Sequence, residues 1–66
     1  MHITLNGKDH TTPDKATLQD LLDALELTGQ RVAVLLDDEV VRKANLPDTP
    51  LTEGCSVELV QMVGGG

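Results

Sequence analysis

The residues best suited to chemistry lie at the end of the chain, where Val63 is followed by Gly64, Gly65 and Gly66. Glycine usually marks a turn toward another element because it accepts positive φ without steric cost, but here no further element follows. Fully extended, residues 63–66 would span roughly 13 Å at about 3.3 Å per residue, and such a tail could enter a channel too narrow for side chains. The alternative is an ordinary frayed terminus. The glycines directly follow a strand-like segment, so we expect a flexible tail over 63–66 that presents the Gly66 carboxylate.

Other reactive side chains form weaker patterns. Cys55 has no Cys, His or Lys beside it to activate its thiol, which favours an inert cysteine over a redox or relay thiol. His2 and His10 could flank each other across a first hairpin, but two ligands are too few for a structural zinc site. The acidic run 37–39 lacks the alternate spacing and the glycine of a calcium loop, and indicates a solvated turn. We expect no catalytic residue, no metal site and no enzyme.

Length and composition narrow the range of functions. Sixty-six residues make one domain, 1–66, and the single cysteine allows no internal disulfide. The net charge of −6 and the absence of Phe, Tyr and Trp argue against nucleic-acid binding, which needs cationic and stacking side chains. The longest apolar run, residues 32–36, is too short to span a membrane. We expect a soluble, cytoplasmic protein whose partner carries a basic face.

The first half of the chain predicts a hairpin followed by a helix. Apolar and polar residues alternate over 1–8, Asn6-Gly7 is a strong type I′ turn signal, and a return strand over 8–12 without apolar residues predicts an exposed sheet edge. Thr17 and Asp20 are placed as an N-cap and the acid of a capping box. Gly29 is expected to end the helix. The apolar stripe of the helix consists of Leu18, Leu21, Leu22 and Leu25.

The second half predicts three strands. They cover 32–36, 40–43 and 56–62, joined by the acidic turn 37–39, an irregular segment over 44–52 with two prolines, and a turn at Glu53-Gly54. Together the elements predict an α+β fold with the helix across one face of the sheet. By alternation, Leu35, Val60 and Met62 point to the other face, where we expect an apolar docking patch. The helix side of the sheet should hold Ile3, Leu5, Val32, Val34, Leu36, Val57 and Leu59.

Taken together, these motifs resemble the ThiS/MoaD sulfur carriers. The matching features are Asn6-Gly7 after the first strand, the Thr17-Leu18-x-x-Leu21-Leu22 helix start, the strand 32–36 with its acidic turn, Glu53-Gly54, and the terminal Gly64-Gly65-Gly66. The short chain is most similar to the ThiS branch. The resemblance implies a ubiquitin-like β-grasp fold, a mixed β-sheet of four to five strands with one α-helix across one face.

The resemblance also implies a chemistry. A ThiF-like adenylating enzyme would use ATP and Mg²⁺ to activate the Gly66 carboxylate, sulfur from a cysteine desulfurase would leave a thiocarboxylate there, and a ThiG-like thiazole synthase would consume that sulfur in thiamin biosynthesis. Gly64, Gly65 and Val63 would form the tail that enters the partner's active site. The carrier itself would bind no cofactor. Three alternatives remain open: a MoaD-like carrier for another sulfur-containing product, a ubiquitin-like modifier of proteins, and a pure binding module.

Overall fold

The chain forms five β-strands and one α-helix in the computed structural model, which describes residues 1–28 and 30–61. The strands are β1 (His2–Leu5), β2 (Lys8–Thr11), β3 (Val32–Leu36), β4 (Glu39–Val41) and β5 (Ser56–Gln61), and the helix is α1 (Leu18–Ala24). The sheet order is β2-β1-β5-β3-β4, with β1 and β5 parallel and the other pairs antiparallel. The predicted α+β fold with a mixed sheet is confirmed.

The first hairpin forms as the sequence predicts. Asn6 and Gly7 take positive φ values of 49° and 83°, as a type I′ turn requires. Thr4 pairs with Asp9 and Leu5 with Lys8 across the turn. β2 pairs with β1 alone, so the strand without apolar residues lies at a sheet edge, as expected.

Helix α1 begins as predicted and ends earlier than predicted. The Asp20 N–H donates to Thr17 Oγ1 at 3.2 Å and the Thr17 N–H donates to Asp20 Oδ2 at 2.9 Å, which completes a capping box. The helix ends at Ala24, and Glu26 takes the left-handed conformation with φ 60°. The Glu26 N–H donates to the Asp23 carbonyl and the Leu27 N–H donates to the Leu22 carbonyl. These are the two backbone bonds of a Schellman motif. The expectation that Gly29 ends the helix is therefore wrong, and Gly29 itself lies outside the described residues.

Two boundaries in the second half also differ from expectation. The β3–β4 turn contains Asp37 and Asp38, with φ values of 49° and 71°, and β4 begins at Glu39, not at residue 40, and ends before Lys43. A 3₁₀ helix covers Lys43–Asp48, where an irregular segment was expected. Pro47 lies within this helix and lacks a backbone N–H donor, and Leu46 beside it is buried in the core.

The core lies between α1 and one face of the sheet. Leu18 and Val57 are completely buried, and Ile3, Leu21 and Val34 are 2% exposed. Leu22 is 5% exposed. The remaining predicted core side chains are half-buried against this cluster: Leu5, Leu25, Val32, Leu36 and Leu59. The sequence pattern did not identify four further core residues, Ala16, Leu46, Leu51 and Cys55. The prediction of which side chains face the helix is confirmed. Strand β5 lies at the centre of the sheet that α1 covers.

Candidate functional site

Strand β5 leads to the predicted tail from the middle of the sheet. It lies between β1 and β3, and its pairing with β3 is described from Leu36–Val57 to Val32–Gln61. A central strand is hydrogen-bonded to a neighbour on each side, and a segment attached to it therefore starts from a rigid position. The predicted tail lies outside the described residues, namely Val63, Gly64, Gly65 and Gly66, and so does Met62, which was predicted as a docking residue.

The face of the sheet opposite the helix carries an apolar patch, which we call the open-face patch: Ala33, Leu35, Val40 and Val60. Ala33 pairs with Val60 and Leu35 pairs with Val40, so the side chains of each pair project on the same face. Val60 is also diagonal to Leu35, because Leu35 pairs with Glu58 two residues before it. Val40 is 72% exposed and Val60 is 50% exposed. The structure thus brings together Leu35 and Val60, as predicted; Met62 lies beyond the described residues.

Val40 was missed because the turn before it is shorter than the sequence suggested. An acidic turn of three residues, 37–39, would pair Val40 with Leu36 and place it on the helix side. The actual turn is Asp37-Asp38, which pairs Val40 with Leu35. A shift of one residue moves a side chain to the opposite face of a sheet. Asp-Asp at a type I′ turn, where Asn-Gly is the usual signal, concealed this register.

The rest of the open face is polar or acidic. Its strand residues around the patch are His2, Thr4, Asp9, Thr11, Ser56 and Glu58, as the strand pairings place them. Among the described strand residues on this face, Asp9 and Glu58 are acidic, and none is a lysine or an arginine. Opposite charges speed the encounter of two surfaces, so this face suits a partner with apolar side chains and a basic rim.

Two turn residues fasten β5 from opposite sides. Asn6 Oδ1 accepts a hydrogen bond from the Leu59 N–H at 2.8 Å, and Asp37 Oδ1 accepts one from the Ser56 N–H at 2.9 Å. Both turn residues have φ 49°, and each is the first residue of its two-residue turn. Asn and Asp tolerate this conformation better than other side chains, and the side-chain bonds to β5 add a second reason for their presence.

The weaker candidate sites do not assemble. Cys55 is a free, buried cysteine in the core, which agrees with the interpretation as an inert residue. His2 pairs with Thr11 and His10 pairs with Ile3, so the two histidines lie on opposite faces, and the idea that they flank each other is wrong. Within residues 1–28 and 30–61, no three His, Cys, Asp or Glu side chains come close enough together to hold a metal ion.

Comparison with known proteins agrees with this architecture. The ThiS family model matches residues 3–66. This chain belongs to the ThiS family. The sulfur carrier protein ThiS of Thermus thermophilus is 36% identical over 64 residues, which are 97% of this chain and 98% of that protein. The crystal structure of the thiamine biosynthesis protein ThiS from Geobacter metallireducens superposes with a TM-score of 0.86 at 32% identity, covering 100% of both chains.

This chain is also similar to one part of a longer synthase. The thiazole synthase of Magnetococcus marinus is 35% identical to this chain over 66 residues, which are all of this chain and 20% of that protein. In that protein a ThiS-like segment is thus part of a much longer polypeptide. The β-grasp interpretation is confirmed, and the relatives named as sulfur carriers agree with the prediction that the chain is a carrier and not an enzyme. In the described part of this ThiS-family chain, none of the helices is long and apolar enough to cross a bilayer.

Proposed function

We propose that this ThiS-family chain carries sulfur as a thiocarboxylate on Gly66 and donates it to thiazole formation in thiamin biosynthesis. The observation that supports this most directly is the position of β5, a central strand of the sheet that ends at Gln61, shortly before the terminal glycines in the sequence. The family match extends through residue 66 and so includes Gly64, Gly65 and Gly66. In this proposal Val63 and the first two glycines form the part that enters a narrow active site.

The chemistry requires an activated carboxylate, because a free carboxylate is a poor acyl electrophile. A ThiF-like adenylating enzyme would join the Gly66 carboxylate to AMP from Mg-ATP, with release of pyrophosphate. The terminal sulfur of a persulfide, formed by a cysteine desulfurase, would then attack the carbonyl carbon and displace AMP. A second thiol would then attack the cysteine sulfur of the resulting acyl disulfide, forming a disulfide with that cysteine and leaving the transferred sulfur on Gly66 as the thiocarboxylate.

The open-face patch would provide the docking surface for these partners. Leu35, Val40 and Val60 offer apolar area beside the base of the tail, and Met62 continues the same alternation in sequence. A ThiG-like thiazole synthase is proposed as the acceptor because synthases such as that of Magnetococcus marinus contain a ThiS-like segment. Ordering a free tail costs about 1–2 kcal/mol per residue, which keeps such complexes transient and lets the carrier pass between enzymes.

The test is intact mass spectrometry after incubation with a ThiF-like enzyme, Mg-ATP, a cysteine desulfurase and cysteine. The expected product has one oxygen replaced by one sulfur, and a variant that lacks Gly66 should remain unmodified. Equal modification of the shortened variant would refute the proposal. Adding a ThiG-like synthase together with the substrates that accept the sulfur should then return the carboxylate, whereas a carrier for another product would keep its sulfur.

The ubiquitin-like modifier makes a different prediction. It requires conjugates that resist thiols and in which Gly66 is joined to lysine side chains of target proteins. Digestion of cell extracts and a search for peptides with the tail attached to lysine would detect them. Such conjugates, together with the absence of a thiocarboxylate, would favour the modifier over the carrier.

A further inference from the structure

The parallel partner of β5 ends before β5 does. Pairing between β1 and β5 covers Thr4–Ser56 and Leu5–Val57, and the Asn6 N–H to Val57 carbonyl bond of 2.9 Å follows it. After that the chain turns through Asn6 and Gly7 into β2, on the other side of β1. Among the described strands, none lies beside Leu59–Gln61 on the side where β1 has ended.

An open groove marks this place. It has a volume of about 370 Å³ and is lined by residues from the sheet and from the segment after α1: Leu5, Asn6, Leu25, Leu27, Val32, Leu59 and Gln61. The side-chain carbonyl of Asn6 bonds to the Leu59 N–H at 2.8 Å, at the position where the next backbone carbonyl of a longer β1 would bond. Leu59 lies a few residues before the tail in the sequence. This bond therefore holds the last part of β5 along the edge that β1 leaves unpaired.

We propose that Asn6 is a positioning residue for the tail, a role that rests on the proposed sulfur-carrier function. Its side chain substitutes for a missing strand and keeps Leu59–Gln61, the last described residues before the tail, in line with the rest of β5. A partner that must bind the open face and the tail together would then find more of the carrier in a competent arrangement. Because apparent affinity scales with the competent fraction, loss of this bond should weaken binding without changing the reaction of bound carrier.

Asp37, in the β3–β4 turn, provides a matched control because its side chain bonds to the same strand, β5. It has the same φ, the same position in its turn and an equivalent side-chain bond, but it fastens Ser56 at the far end of β5 from the tail. N6G and D37G each remove one acceptor and keep a residue that accepts positive φ. N6D retains both the acceptor oxygen and the tolerance for this turn, and so serves as the rescue variant.

The first readout is amide hydrogen exchange by NMR, which needs no partner. In N6G the Leu59 amide should exchange about three- to tenfold faster, as expected for the loss of one hydrogen bond, while the Ser56 amide keeps its protection. D37G should show the reverse, and N6D should resemble the wild type. Unchanged protection of Leu59 in N6G would overturn the proposal, because the Asn6 bond would then not hold the strand in solution.

The second readout is the kinetics of thiocarboxylate formation with the ThiF-like enzyme. N6G should raise KM for the carrier about three- to tenfold with kcat unchanged, and both D37G and N6D should keep the wild-type KM. An equal rise in KM for D37G would overturn the proposal, since the effect would then follow general stability. If the wild type accepts no sulfur, the proposed function fails, and the exchange experiment still decides whether Asn6 holds Leu59.

Discussion

Val40 gives the sharpest test of the open-face patch, because its side chain is 72% exposed and its replacement should hardly affect folding. Complete burial of a valine contributes about 1.5–3 kcal/mol. Covering the 72% that is exposed would therefore contribute about 1–2 kcal/mol to partner binding. At about 1.4 kcal/mol per tenfold change, Val40→Asp should weaken binding at least about 5- to 30-fold. Desolvation of the new carboxylate would add to this loss.

The assay is titration of the ThiF-like enzyme or the ThiG-like synthase with wild-type and variant carrier. This chain contains no Phe, Tyr or Trp, so any change in tryptophan fluorescence comes from the partner. Thr11→Asp is the matched control, because it adds the same charge to the same face on the distant edge strand β2. An unchanged Kd for Val40→Asp would refute docking through the patch, and an equal loss in both variants would assign the effect to charge alone.

Three further predictions concern the helix and its ends. Thr17→Ala should remove the capping box, cost about 1 kcal/mol and lower Tm by about 4–8 °C in circular dichroism melts, whereas Thr17→Ser should keep most of the stability. Hydrogen bonds from Thr28 and then Gln19 lower the pKa of Asp23 below its usual 3.8, so its stabilising contribution is complete above that value and disappears as the pH falls through the lowered pKa. The stability difference between wild type and Asp23→Asn, measured by urea unfolding, should therefore shrink below pH 3.8; a difference that stays constant would contradict this. Glu26→Gly should stabilise the protein by about 0.5–1 kcal/mol, because glycine takes the left-handed conformation at the helix end without the steric strain of a Cβ atom. A lower Tm for this variant would show that Glu26 has another role.

Most of the fold could be predicted because strong local signals agreed with one another. Asn6-Gly7 specified the first turn, and the leucine spacing of α1 matched the alternation of Ile3, Val34 and Val57 on the facing sheet. These signals depend on short-range sterics and on a single buried side. The order of the strands was not predicted from the sequence, and the structure places β5 between β1 and β3.

Two of the errors, the end of α1 and the β3–β4 turn, occurred where a non-glycine residue takes a positive φ. Glu26 ends the helix in a conformation that glycine usually provides, and so the sequence pointed to Gly29. Asp37 and Asp38 form a two-residue turn without a glycine, and this turned Val40 to the open face. Tertiary contacts stabilise such turns, as the Asp37 bond to Ser56 illustrates. No local pattern contains that information.

The candidate site was predictable only in part for the same reason. Leu35 and Val60 follow from alternation along single strands, whereas Val40 needs the register between two strands. The Asn6 bond to Leu59 joins residues far apart in the sequence, and turn propensity alone fully accounts for an asparagine before Gly7. Its second role became visible only when β5 was placed beside β1.

The most direct test of sulfur carriage is the location of sulfur in the C-terminal tryptic peptide after the complete reaction. Lys43 is the last basic residue, so residues 44–66 remain together and include both Cys55 and Gly66. A persulfide on Cys55 adds a sulfur atom and is removed by thiol reductants, whereas a thiocarboxylate replaces an oxygen atom and survives them. We predict the replaced oxygen, with fragment ions that assign it to Gly66. Sulfur found on Cys55 alone, or a tail that keeps both its oxygen atoms, would contradict sulfur carriage by Gly66.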